Sequence, residues 1–136
     1  MSTSSTRRPR SLEVPGVTHG SAPIPMGARV GNVIYSSGIL GKDPQTDQLP
    51  EDVSEQARFV FVNLRTLLEQ GGATPEDIVR MTVYVKDNSA REHLNREWLA
   101  MFPDEHDRPA RHVLVYPLAG AMQIQIEIVA VVQDSK

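Results

Sequence analysis

Hydrophobic residues recur along this chain with two periods, and the switches between them mark its elements. Ala57, Val60, Phe61, Leu64, Leu67 and Leu68 return every three or four residues, as on one helical face, and Gly71-Gly72 ends the run. A second stripe, Leu94, Trp98, Met101 and Phe102, predicts another amphipathic helix, with Ser89 as its cap and Pro103 as its stop. Between them Ile78–Lys86 alternates, with Met81, Val83 and Val85 on one face, which is the period of a strand. Just before it, Thr74-Pro75-Glu76-Asp77 combines a cap residue, a proline and two acids, and predicts a short helical turn.

Leu12–Val17 reads as a short edge strand, followed by a loop that holds Pro23, Pro25 and Gly27. Ala28–Val30 and Val33–Ser37 are strand pieces around Gly31-Asn32, a tight-turn dipeptide. Gly38–Pro50 reads as loop, with Asp43-Pro44 and Asp47 as turn formers. A strand from Arg111, a turn at Pro117–Ala121 and a long final strand, Gln123–Val132, complete the order β-β-α-β-α-β-β. This is an α+β pattern whose two helices can cover one face of the sheet and not both. Yet the final strand carries Ile124, Ile126 and Ile128 on one side while Val129 and Val131 join the other. The face left without helices is therefore expected to meet another subunit.

At 136 residues the chain is one domain, large enough to bury a core. Residues 1–10, Ser/Thr-rich with Arg7-Arg8-Pro9-Arg10, read as a disordered tail ahead of a single domain at 11–136. A net charge of −3 with both signs interspersed gives no footprint for nucleic acid or an anionic membrane. The absence of cysteine excludes disulfides, thiolate catalysis and cysteine-ligated zinc, and no two histidines have metal-ligand spacing. No apolar run reaches the length of a membrane span and none follows the N-terminal arginines as a signal segment would, so the expected location is the cytoplasm.

The candidate chemistry centres on Arg108-Pro109-Ala110-Arg111-His112-Val113-Leu114-Val115-Tyr116. One face carries Arg111, Val113 and Val115, the other His112, Leu114 and Tyr116, and a strand apolar on both faces is expected to be covered on both. An arginine entering such a strand stays charged and needs an anion, either a carboxylate of the chain (Glu127, Asp104 or Glu105) or one on a ligand. His112 points away from Arg111 and reads as a packed or interface histidine; His19, beside Gly20, is a candidate acid or base. His93 and His106 read as helix surface and loop, and Trp98 and Met101 as core.

Several segments together resemble the Rid family, also called YjgF/YER057c/UK114. They are Gly31-Asn32-Val33-Ile34-Tyr35-Ser36-Ser37-Gly38, Val83-Tyr84-Val85-Lys86-Asp87, Asn95, Arg108-Pro109-Ala110-Arg111 and Ile126-Glu127-Ile128-Val129-Ala130-Val131. Each is weak alone; in this order and spacing they span about residues 20–132. The resemblance implies a chorismate-mutase-like α+β fold, a mixed sheet with two helices on one face, assembled as a homotrimer with clefts at the subunit interfaces. It also implies a deaminase that uses no metal or organic cofactor and hydrolyses small enamine or imine intermediates to 2-oxo acids and ammonia. The family's carboxylate-binding arginine falls on Arg111, its pocket Ser-Gly on Ser37-Gly38, and its helix asparagine, contributed across the interface, on Asn95.

Three positions depart from the family's pattern. A pocket tyrosine is replaced by Ile24, a frequent cysteine by Val113, and the glutamate credited with holding the attacking water by Gln125. An amide can orient water through its carbonyl but cannot act as a base at neutral pH, so Gln125 predicts weaker or redirected deamination unless Glu127 or His19 handles the proton. The alternative is a trimeric module that binds small carboxylates without turnover. Some relatives are described as ribonucleases or translation inhibitors; the acidic charge and the lack of a basic-aromatic patch argue against that role here.

Overall fold

The computed structural model describes residues 9–133, and the tail expected at residues 1–10 lies outside that range up to residue 8. Arg10 is already tied to the domain, its carbonyl accepting from Arg29 N–H at 2.8 Å. Strand β1 (Ser11–Leu12) pairs with β2 (Gly27–Val30), and β2 pairs with β3 (Val33–Ser36) around Gly31, whose φ of 59° suits the tight turn. The strand expected over Leu12–Val17 is shorter than its pattern suggests. It breaks at Pro15-Gly16 and survives beyond Leu12 only as a bridge between Val14 and Val17. Gly16 has φ 88°, and a Cβ there would stand 2.0 Å from the Pro44 carbonyl oxygen, so the break is built around a glycine.

Segment 38–50, expected to be loop, contains a short strand, β4 (Ile39–Leu40), which pairs with the final strand. Helix α1 (Val53–Gln70) starts at Asp52, whose carboxylate accepts from Ser54 N–H at 3.2 Å, and ends at Gly71. The predicted turn forms at Pro75–Asp77 and leads into β5 (Ile78–Val85). Ser89 does not cap the second helix as expected: the cap residue is Asp87, whose carboxylate accepts from Ser89 N–H at 2.9 Å at the start of the preceding turn. A helical turn at Asn88–Ala90 then runs directly into α2 (Arg91–Met101). Strands β6 (Ala110–Val115) and β7 (Ile124–Val131) complete the sheet.

The sheet order is β1-β2-β3-β7-β5-β6, with β4 beside β7 where β3 leaves it. All pairings are antiparallel except β5–β6. Central β7 buries Ile124, Ile126, Ile128 and Ala130, together with Met81, Val83 and Val85 of β5. Both helices pack on that face with Leu64, Leu67, Leu94 and Trp98 in the core. The opposite face carries no helix and leaves Val33, Tyr35 and Val131 exposed. Among the described residues no helix is long and apolar enough to cross a membrane.

Strand β6 corrects the expectation of a strand covered on both faces. It is the outermost strand, and Leu114, Val115 and Tyr116 are exposed. Its two apolar faces reflect a half-covered edge rather than a central position.

One buried amide holds the segment before β7 in place. Gln56 Nε2 donates to the carbonyls of Pro50 (2.8 Å) and Ala121 (2.9 Å), and its Oε1 accepts from Gln123 N–H at 2.9 Å. Gln56→Leu leaves these three backbone groups without the amide and is expected to cost about 2–3 kcal/mol in urea unfolding. A cost below about 0.5 kcal/mol would mean that the turn does not depend on this side chain.

Candidate active site

The residues singled out from sequence fall into two groups in the folded chain. The first surrounds the gap between β3 and β4. There the chain departs from β7, and Ile128 N–H donates to Ser36 Oγ at 2.8 Å instead of to a strand carbonyl. Ser37 turns back toward the loop before β2: its N–H donates to the Met26 carbonyl (2.8 Å) and its hydroxyl to the Pro25 carbonyl (2.9 Å). The hydroxyl is thereby engaged by backbone. Gly38 lies against Gln125, and a Cβ there would stand 2.6 Å from Gln125 Nε2. Ile24, next to Pro25, is half exposed.

His19 approaches the same place and donates from Nε2 to the Gly38 carbonyl at 2.7 Å. A carbonyl can only accept, so the Nε2 proton is fixed and a neutral ring keeps Nδ1 as its acceptor. The loop carrying His19 is anchored by Asp47, which accepts from Thr18 N–H (2.9 Å) and Thr18 Oγ1 (2.6 Å). Lys42 donates to the Thr18 carbonyl at 2.9 Å and lies 3.3 Å from the Asp47 carboxylate. The Thr18 hydroxyl, then its backbone N–H, then Lys42 hold the Asp47 carboxyl below its ordinary value. A depressed carboxyl stabilises the fold above its unfolded pKa, and that stabilisation is lost as pH falls through the folded value. Acidification below the usual carboxylate range is therefore expected to free the Thr18 amide, seen as a pH-dependent amide shift in NMR. Asp47→Asn should abolish the transition; a transition that persists in the variant would assign it to another group.

On the helix-free face, Gln125 and Glu127 lie two residues apart on β7 and line an open hollow of about 520 Å³ with Tyr84, Tyr116, Leu118 and Met122. Tyr84 pairs in register with Gln125, and its hydroxyl donates to Glu127 Oε1 at 3.5 Å. The Glu127 charge, followed by burial, pushes the Tyr84 hydroxyl above its ordinary pKa. Tyr116 meets the Tyr84 ring edge-on, with centroids 5.8 Å apart. Tyr84 was accessible from the alternation of β5, since it takes the face opposite Met81, Val83 and Val85, the face of Gln125.

The second group lies at the sheet edge on the helix side. Half-buried Arg111 donates from Nη1 to Asn95 Oδ1 at 2.8 Å, and its guanidinium carbon sits 4.9 Å from the Trp98 ring centroid. Trp98 is thus both core, as expected, and a platform for the arginine. Asn95 belongs with Arg111 in one chain, and both are separate from Ser37-Gly38. Among the described residues Arg111 forms no ion pair. Of the acids proposed for it, Asp104 accepts from His106 N–H and Glu105 lies 3.3 Å from His106 Nε2. Glu127 is on the opposite face. Burial, then the positive charge of Arg91, lowers the Arg111 pKa from its ordinary value, and a guanidinium remains charged all the same.

Sheet register explains the separation. Arg111 aligns with Met81 and Ile128, which face the helices, whereas Leu114 aligns with Tyr84 and Gln125, which face away. One chain therefore presents Arg111 and the hollow lined by Gln125 on different sides of the same sheet. Among the described residues no three His, Asp or Glu side chains are grouped to hold a metal ion.

This fold and this pair of half-sites define a small α+β protein of the chorismate-mutase-like type. The family model described as Endoribonuclease L-PSP matches residues 22–132, and the chain belongs to this family, the Rid family. It is 36% identical over 111 residues to the 2-iminobutanoate/2-iminopropanoate deaminase of Escherichia coli K12, covering 80% of this chain and 87% of that protein. A RutC family protein of Aquifex aeolicus VF5 is 34% identical over 116 residues, covering 81% and 93%. The crystal structure of RidA from Psychrobacter sp. PAMC 21119 superposes with a TM-score of 0.80 at 29% identity, over 93% of this chain and all of that one.

Proposed function

We propose that this protein hydrolyses small carboxylate-bearing enamine or imine intermediates to 2-oxo acids and ammonia, in clefts that are completed where copies of the chain meet in a homotrimer. The carrying observation is Arg111: a charged, half-buried guanidinium, fixed by Asn95 and Trp98, with no acid among the described residues paired to it. Such a group suits a substrate carboxylate, which it can hold through charge-assisted hydrogen bonds. The relative named as an imine deaminase supports turnover over simple binding.

The opposite placement of the two half-sites supports assembly. A second copy can bring its Gln125 hollow to the Arg111 of the first, and the exposed Tyr35, Val33 and Val131 supply an apolar face for contact. In the reaction, water adds to the imine carbon and the nitrogen gains a proton. The resulting carbinolamine then expels ammonia as its hydroxyl proton leaves. Gln125 Oε1 can accept from the attacking water, while the Tyr84–Glu127 pair on the same face offers a proton donor and an acceptor. Gly38 backs Gln125, and Ser37 holds that segment to the loop before β2 through the Pro25 carbonyl.

The test generates 2-aminoacrylate and 2-iminobutanoate in place with a dehydratase and follows 2-oxo acid and ammonia release. Acceleration by wild-type protein, with a trimer in sedimentation, is expected. Decay no faster than in buffer would overturn the deaminase reading, and an active monomer would overturn the shared cleft.

A further inference from the structure

A second arginine stands beside the anion anchor. Arg91 opens α2 and lies four residues before Asn95 and seven before Trp98, so all three share one stripe of the helix. Asn95 and Trp98 are the residues that hold Arg111. Arg91 is half-buried, its Nε donates to Asn88 Oδ1 at 2.9 Å, and its positive charge acts on Arg111. Among the described residues neither guanidinium is in an ion pair. Two like charges beside one helical stripe repel, and no acid among the described residues pairs with either to relieve them. A single carboxylate on Arg111 neutralises half of that charge.

We propose that Arg91 is a second anion anchor and that the cleft selects substrates with two carboxylates, the imines of four- and five-carbon 2-oxo diacids. Arg111 takes the carboxylate next to the reacting carbon, and Arg91 takes the distal one. One helical turn separates Arg91 from Asn95, about 6 Å along the axis, a span that such a diacid bridges. The assignment of Arg111 rests on the proposed function; the selectivity of Arg91 is a separate property that binding alone reads.

Trp98 is the only tryptophan and lies under Arg111, so its fluorescence reports occupancy without turnover. Full-length protein is titrated with 2-oxoglutarate and oxaloacetate against 2-oxobutanoate and pyruvate at one fixed ionic strength. Dicarboxylates are expected to bind about tenfold tighter, the effect of one additional partly screened ion contact. Arg91→Gln should bring the ratio of dissociation constants to within about twofold of unity, Arg91→Lys should keep part of it, and Arg65→Gln, the same charge change on exposed α1, should keep all of it. Equal affinities in the wild type, no binding of either class, or a ratio unchanged by Arg91→Gln would each overturn the proposal. If dicarboxylates are preferred but no imine decays faster, the selectivity stands and the deaminase reading fails. If monocarboxylate imines are hydrolysed while the affinities are equal, the reverse holds.

Discussion

Arg111→Ala is expected to lower kcat/KM for imine hydrolysis by about 10²–10³-fold while leaving the unfolding free energy within about 1 kcal/mol of wild type. Both halves follow from the same geometry. The arginine donates one hydrogen bond to Asn95 and lies on the Trp98 ring, and alanine loses both contacts. Against that, the folded chain no longer has to hold a half-buried cation beside Arg91, with no acid among the described residues paired to it. These terms oppose each other in the empty protein. In the proposed cleft they do not, because alanine removes the guanidinium that would hold the substrate carboxylate and nothing offsets that loss. Arg111→Lys should fall between, since it keeps the charge and gives up the planar fork. Steady-state kinetics and urea unfolding on the same preparations separate the outcomes. Loss of stability in proportion to activity would make Arg111 a structural residue, and unchanged kinetics would remove it from the mechanism.

Gln125→Glu is expected to raise turnover of the same imines by about 10–10²-fold. The substitution is close in shape, and its oxygens fall where the amide now rests against Gly38 and faces the hollow. A carboxylate there stands two residues from Glu127 on the same strand face, about 7 Å along β7. Partial burial and a like charge both raise a carboxyl pKa, which moves this one toward the range where it can take a proton from water at neutral pH. The wild-type amide cannot. The gain should therefore carry a new ionisation, with turnover in the variant rising as pH climbs through the raised pKa and no such limb in the wild type. Comparing pH–rate profiles tests this. A variant no faster than wild type would mean that the amide serves this site better than the acid, through its donor group as well as its carbonyl.

Much of this was visible before folding because it depends on local spacing. Helical periodicity located both helices, and alternation located β5 and β7 and correctly assigned the buried isoleucines to one face. Face parity within a strand is a local property too, so Gln125 and Glu127 could be placed together and His112 opposite Arg111. The errors came where a nonlocal partner decides. β4 is two residues long and exists only because β7 offers it a free ladder. Asp87 displaces Ser89 as the cap because the helical turn begins at Asn88, two residues earlier than a Ser89 cap would start it. Strand β6, expected to be covered on both faces, is the outermost strand, with Leu114, Val115 and Tyr116 exposed in the single chain, since a strand's own sequence does not state what packs on it.

The sequence alone determined the elements, the buried face of the sheet and the residue types available for chemistry: an arginine without cysteine or paired histidines around it, and an amide, Gln125, two residues before an acid, Glu127. The tertiary structure decided what those residues meet. It put Glu127 beyond reach of Arg111, gave Arg111 to Asn95 and Trp98 instead, engaged the Ser37 hydroxyl with backbone, and brought the helical stripe that carries Arg91 to Arg111. The physical reason is that strand register assigns every residue to one side of a sheet through pairings between segments far apart in the chain. Spacing along one segment fixes parity within that segment, and only the assembled sheet fixes it between segments.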